Sequence, residues 1–202
     1  MDVSKINSLV DLYFKKVEQI DKKKPFLQWL NPNKNHQYSW EEVTEKIYKF
    51  SYKIKTLIKE GDRVLLLSEN RPEWLISDLS IMNAGGITVP IFTTYAERDY
   101  EYILNDCSPS LIVVSNQIQF EKIKKFTNNK KIVSFEKIKN SSITFENIFN
   151  EKYEKEINSK LNRKLPACII YTSGTSGNPK GVILSHGGIL SNCEGALELL
   201  QP

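Results

Sequence analysis

The sequence predicts an α/β chain built on a largely parallel sheet with flanking helices. Two observations predict it. Short, continuous apolar runs such as Arg63–Ser68 (RVLLLS) and Ser110–Ser115 (SLIVVS) have the length of strands buried on both faces. They alternate with helix-patterned stretches of about ten residues, the order expected of βαβ units. The chain has 202 residues, enough for one domain with a real core or for two small ones.

The elements follow in order. Residues 4–20 read as an amphipathic helix, with Ile6, Leu9, Val10, Tyr13, Phe14, Val17 and Ile20 recurring at helical spacing. Phe26–Leu30 and His36–Trp40 are β-like, and the turn-prone Asn31-Pro32-Asn33 between them suggests a hairpin. Ser39, with Glu42 three residues on, opens a second helix through a capping box. Its stripe of Trp40, Val43, Ile47, Phe50, Ile54 and Leu57 is short for a coiled coil and suits packing on a sheet, and Gly61 is its expected C-cap. After the strand Arg63–Ser68, Pro72 suits a first helical turn, Glu73–Ala84 continues as helix, and Gly85-Gly86 ends it. Ile87–Ile91 is a strand, Glu97–Asn105 a helix, Ser110–Ser115 a strand, 117–126 helical and Ile132–Phe135 a fourth strand. Residues 136–165 are polar and irregular, with a short helix near 144–150. Ala167–Tyr171 and Gly181–Ser185 are strands, and Gly187–Leu200 is a helix.

Composition removes several classes. No apolar run approaches the roughly 20 residues that cross a bilayer. The start, MDVSKINSLVDLYF, has no charged segment followed by a long apolar stretch, so no secretory signal is expected. Lys plus Arg is 28 against 24 Asp plus Glu, a weak excess of +4. Arg occurs only as Arg63, Arg71, Arg98 and Arg163, so nucleic acid is not an expected partner. Cys107, Cys168 and Cys193 have no C-x-x-C spacing and suit buried positions in a reducing, cytoplasmic compartment. His36 and His186 stand alone, and no cluster has the spacing of a metal site.

The chemistry is concentrated between the last two strands, in Thr172-Ser-Gly-Thr-Ser-Gly-Asn-Pro-Lys-Gly181. Small residues let the backbone fold closely around a ligand and turn N–H groups toward an anion. Thr172, Ser173, Thr175 and Ser176 add neutral donors, and Lys180 adds a point charge. Such a set suits a polyphosphate. It is not a Walker A loop, which needs its Lys-Ser/Thr pair to open a helix; here Gly181 and a β-like segment follow Lys180. Composition alone leaves a ligand-free Ser/Gly hairpin loop open as the alternative.

The run IIYTSGTSGNPKGVILSH closely resembles the signature loop of the AMP-forming acyl-adenylating superfamily, which includes acyl-CoA synthetases, luciferases and peptide-synthetase adenylation domains. Upstream, SENRPEW, GGITVP, TTYAERD and ILND follow in the order of the long-chain fatty acid–CoA ligase branch. The resemblance covers most of the chain and is weakest over 116–165. It implies that residues 1–202 are the N-terminal portion of an adenylation domain, the large domain of such an enzyme. The rest of that domain and the mobile C-terminal domain would lie outside this sequence.

The resemblance also implies two half-reactions. A long-chain fatty carboxylate attacks the α-phosphate of ATP, giving an acyl-adenylate and pyrophosphate; the thiol of coenzyme A then displaces AMP. By the same resemblance Thr172, Ser173, Gly174, Thr175, Ser176, Gly177 and Lys180 hold the β- and γ-phosphates, with Mg2+ sharing the charge. Ser176 stands where Thr is common and keeps the hydroxyl. The family's adenine and ribose contacts, magnesium glutamate, hinge and catalytic lysine fall beyond Pro202. This portion alone is therefore expected to hold no catalytic residue and not to complete the reaction. A non-catalytic binding protein that keeps part of the fold, or a ligase for another carboxylic acid, are the alternatives.

Other residues carry structural expectations. His186 packs or caps a helix start rather than touching a ligand. Arg71 and Glu73 lie at the carboxyl end of a strand, where α/β sites gather, and are expected to form a structural salt bridge or to serve the helix end. Trp74 is core, and Cys168 is an inert buried thiol. Tyr95 and Arg98 are structural, with a substrate-bordering role as the alternative. Residues 121–139 hold seven Lys against two Glu and read as a solvated face, with peripheral membrane contact as the alternative.

Overall fold

The computed structural model describes residues 2–30, 36–139, 143–172 and 177–200. A 3-10 turn at Val3–Lys5 leads to α1 (Leu9–Glu18) and a two-stranded hairpin, β1 (Pro25–Trp29) and β2 (His36–Ser39). The main body follows as α2 (Trp40–Lys55), β3 (Arg63–Leu67), α3 (Pro72–Asn83), β4 (Ile87–Ile91), α4 (Glu97–Cys107), β5 (Leu111–Val114), α5 (Gln117–Ile123), β6 (Lys131–Ser134), β7 (Ile143–Thr144), α6 (Phe145–Asn150), β8 (Pro166–Thr172), β9 (Lys180–Ser185) and α7 (His186–Leu200).

Seven strands form one sheet in the order β7-β6-β5-β3-β4-β8-β9. Every neighbouring pair is parallel except β8 with β9. The central strand shows why its sequence is continuously apolar. Val64 and Leu66 join one core with α1, α2, α3 and α6, while Leu65 and Leu67 join a second core with α4 and α5. Side chains alternate across a strand, so a strand covered on both faces needs an apolar residue at every position. All four are fully buried, and each such burial stabilises by roughly 1.5–3 kcal/mol.

This layering also creates a crevice. From β3 the chain leaves into α3 on the first face and returns as β4. From β4 it leaves into α4 on the second face and crosses back over β3 to β5. The connections from β3 and β4 thus diverge at their carboxyl ends, a topological switch point where ligands bind in open α/β sheets.

Several boundaries differ from the sequence reading, each for a local reason. The helix expected over 4–20 begins only at Leu9, because Ser8 caps it by accepting from the Asp11 N–H at 3.0 Å. Val3 and Ile6 instead pack with Leu190 of α7. The capping box of α2 is present, but that helix ends at Lys55; Gly61, left-handed with φ +81°, serves the turn into β3. Helix α2 does pack over the sheet as its stripe suggests, sharing one core with β3, α3 and α6. Helix α4 runs on to Cys107 and stops at left-handed Ser108. The short strand β7 was not anticipated. The hairpin turn expected at 31–33 lies outside the described residues, although β1 and β2 do pair antiparallel.

The irregular segment between α6 and β8 is anchored by one buried amide. Asn83, fully buried, donates from Nδ2 to the Ser51 hydroxyl and the Glu156 carbonyl, both at 3.0 Å, and its Oδ1 accepts from the Asn158 N–H at 2.9 Å.

Candidate functional site

The carboxyl ends of β3, β4 and β8 open onto a cavity of about 480 Å3 at the switch point. Ser68, Glu69 and Asn70 line it from the segment after β3, and Phe92, Thr93 and Thr94 from the segment after β4. Ile170 and Tyr171 contribute from β8, and Trp74 from α3. The next residue along β8 is Thr172, exposed at the strand's end. A larger groove of about 530 Å3 lies between α1, the β1–β2 hairpin, α3 and α7. It draws nothing from the carboxyl ends of the strands and is almost wholly apolar, so the switch-point cavity is the candidate.

The predicted phosphate loop is the connection between the antiparallel strands β8 and β9. Thr172 and Lys180 stand opposite each other in the register, and both are exposed. Ser173, Gly174, Thr175 and Ser176 lie outside the described residues. Gly177 is exposed with φ +90°, a conformation that favours glycine, and no atom lies within 4 Å of where a Cβ would stand. A hydroxyl and an ammonium group, both donors to oxygen, thus face solvent across the mouth of the hairpin. Their chemistry fits phosphate oxygens. Among the described residues no group of three or more His, Cys, Asp or Glu side chains stands together as metal ligands.

The stem of the loop is held from several sides. Tyr171, 3% exposed, donates its hydroxyl to Asp106 Oδ2 of α4 at 2.5 Å. Burial and then the Asp106 carboxyl push its phenol well above the usual range. The Tyr171 carbonyl accepts from the Tyr95 hydroxyl at 3.1 Å. On the cavity wall, Glu69 Oε1 accepts from Gln119 Nε2 at 2.6 Å and from Asn116 Nδ2 at 3.3 Å. Burial disfavours that carboxylate, but hydrogen bonding outweighs it and holds Glu69 below the usual range.

The remaining residues singled out from the sequence divide between the core, ion pairs, the cavity wall and the surface. Arg71 pairs with Glu73 at 2.8 Å and Glu136 at 2.7 Å, and its guanidinium lies over the Trp29 and Phe135 rings. His186 is 1% exposed, and its Nδ1 accepts from the Leu9 N–H at 3.3 Å; burial pushes its imidazole down to about 4. Tyr95 turns inward to β8, whereas Arg98 is exposed beside Asp99. Trp74 packs on the core and also lines the cavity. Cys168 is half-buried rather than fully buried, and burial raises its thiol to about 11, which suits an unreactive group. The Lys-rich run is divided: Lys122 donates to the Thr93 carbonyl near the cavity, whereas Lys131 donates to the Leu57 carbonyl after α2.

A family model described as AMP-binding enzyme matches residues 14–201. The chain belongs to this AMP-binding enzyme family. Among curated proteins, the chain is similar to long-chain-fatty-acid–CoA ligase ACSBG1 from Homo sapiens. The two are 31% identical over 173 residues, covering 76% of this chain and 24% of the relative. Fatty acyl-CoA synthetase A from Dictyostelium discoideum is 32% identical over 154 residues, covering 69% of this chain and 23% of the relative. The chain thus spans about a quarter of the length of these relatives.

Solved structures share the fold. An anthranilate CoA ligase, AuaEII, in complex with anthranoyl-AMP superposes with a TM-score of 0.79 at 24% identity, covering 93% of this chain and 37% of that one. A fatty acyl-adenylate ligase from L. pneumophila, in complex with acyl adenylate and pyrophosphate, gives 0.73 at 23% identity, covering 98% and 33%. Among the described residues no helix is long and apolar enough to cross a membrane.

Proposed function

We propose that this chain carries the triphosphate-holding part of an ATP-dependent ligase that activates a long-chain fatty acid as its adenylate and passes it to coenzyme A. One observation carries the reading: Thr172 and Lys180 face solvent on opposite strands at the mouth of the β8–β9 loop, beside the switch-point cavity. The likeness to fatty acid–CoA ligases supports the choice of acid.

In this reading Thr172, Ser173, Thr175 and Ser176 donate to the β- and γ-phosphates of ATP. Gly174 and Gly177 let the backbone approach, and Lys180 offsets the charge that builds on departing pyrophosphate. Their contribution is positioning and charge stabilisation, not proton transfer. Mg2+ would neutralise phosphate charge and be held by the nucleotide and by groups outside the described residues. The adenine, ribose and acyl-chain contacts, and the catalytic lysine implied by the resemblance, would be supplied by polypeptide beyond these 202 residues. The cavity suits a bound reactant with both apolar and polar parts, because Trp74 and Phe92 share its wall with Ser68, Glu69 and Thr93.

The test is ATP-dependent pyrophosphate release by the full-length protein across carboxylic acids of increasing length. Release that peaks with long-chain acids supports the reading; release with none of them refutes it. Lys180→Ala in the same protein is expected to raise the KM for ATP at least tenfold, the loss of about 1.4 kcal/mol of binding, with folding intact. Unchanged ATP kinetics would remove Lys180 from its role.

A further inference from the structure

Tyr171 is the last buried residue of β8, immediately before exposed Thr172. Three separate contacts converge on it. Its ring crosses Gly181 on β9: a Cβ at that glycine would stand 3.1 Å from Tyr171 Cζ and 3.3 Å from Cε1. Its hydroxyl reaches Asp106 in the last turn of α4 at 2.5 Å. Its carbonyl takes the Tyr95 hydroxyl, which comes from the segment after β4, at 3.1 Å.

Tyr95 is itself fixed. It lies edge-on to Phe92 and Tyr100, with ring centroids 5.4 Å and 6.2 Å away, and the Tyr100 hydroxyl donates to the Phe92 carbonyl at 3.0 Å. Thus β9, α4 and the segment after β4 each hold the same residue, where the sheet's burial ends and the loop begins.

We propose that Tyr171, Asp106 and Tyr95 form a positioning brace that sets Thr172 against Lys180 and the switch-point cavity. The proposal rests on reading the loop as a triphosphate site. Its physical basis is preorganisation. Donors held in place before the ligand arrives need no ordering on binding, so affinity is lost when they loosen. The phenol–carboxylate bond is charge-assisted and joins buried Tyr171 to an exposed carboxylate at the end of α4, tying the strand to that helix. The glycine at position 181 allows the ring to lie where that tie can form.

The test is calorimetric titration of the full-length protein with inorganic tripolyphosphate, well below its melting temperature, so that only binding is asked of it. Wild type is expected to bind and Lys180→Ala to lose binding. Tyr171→Phe and Tyr95→Phe should each weaken binding by about tenfold. Asp106→Asn, which keeps an acceptor for the phenol, should bind more tightly than Asp106→Leu. A purely structural role would lower the melting temperature and leave the affinity of the folded molecules unchanged. Wild-type affinity in both tyrosine variants, with Lys180→Ala still defective, overturns the brace and leaves the loop reading standing. Absence of binding by wild type, or equal binding by Lys180→Ala, overturns the loop reading and the brace together.

Discussion

His186 and Asp78 should oppose each other in the pH dependence of stability. His186 is buried against α1, with Nδ1 accepting from the Leu9 N–H, and its imidazole is pushed down to about 4 from 6.5. It is neutral in the native state, while the unfolded chain takes up a proton as pH falls through 6.5. Its contribution is therefore complete above 6.5 and is lost as pH drops toward 4. The difference of about 2.5 pKa units corresponds to about 3 kcal/mol. Asp78 has the reverse sign. Burial raises its carboxyl to about 6 from 3.8, so the native state holds the proton more tightly and stability is regained as pH falls from 6 to 3.8, again by about 3 kcal/mol. Asp78 lines the apolar groove, so water reaching it there reduces its share, and 3 kcal/mol is an upper figure.

The wild-type profile therefore hides both groups, and variants expose them. In urea titrations between pH 7 and 4, Asp78→Asn should start more stable than wild type and lose that advantage by pH 4. His186→Asn, which offers the Leu9 N–H an acceptor that does not titrate, should gain stability relative to wild type as pH falls over the same range, because the opposing Asp78 contribution is left uncovered. If Asp78→Asn and wild type stay parallel from pH 7 to 4, the carboxyl is not buried as described. If His186→Asn and wild type stay parallel, the imidazole titrates normally in the native state.

Two further changes test the scaffold. Ser39→Ala removes the cap whose hydroxyl accepts from the Glu42 N–H at 3.2 Å, and should cost about 1 kcal/mol in a urea melt; no change would remove the box from the stability of α2. Asn83→Leu leaves the Asn158 N–H and the Glu156 carbonyl without their partner, and should cost about 3 kcal/mol in the same assay. A cost below about 1 kcal/mol would mean that the segment between α6 and β8 is not anchored there.

The fold was legible where local pattern and tertiary environment agree. Strand β3 is apolar at Val64, Leu65, Leu66 and Leu67 because both its faces are covered, and that signal survives in sequence without knowledge of its partners. Helix boundaries were less legible because caps compete. Ser8 starts α1 two residues after the apolar pattern has begun at Ile6, and Gly61 looked like a helix stop although Thr56 already ends the ladder. Strand β7 has only two residues, Ile143 and Thr144, too few for any periodicity to show.

The candidate site divides along the same physical line. The hydroxyls, glycines and lysine of the loop are neighbours in sequence, so their chemistry could be read directly. The residues that hold the loop's stem and the cavity wall are remote from one another: Tyr171 and Asp106 are 65 positions apart, Tyr95 and Tyr171 are 76, and Glu69 and Gln119 are 50. No period or spacing joins such pairs. They meet because consecutive βαβ units leave the sheet toward opposite faces and bring the carboxyl ends of β3, β4 and β8 to one crevice. One local signal did exist: a tyrosine facing a glycine across a strand pair, Tyr171 opposite Gly181. A large ring at the end of one strand and a missing side chain at the start of the next imply that the ring lies across the second backbone. The phenol must then find its partner beyond the hairpin. That partner is Asp106, and the sequence carries no sign of it except a carboxylate near the end of a helix that packs on the same face.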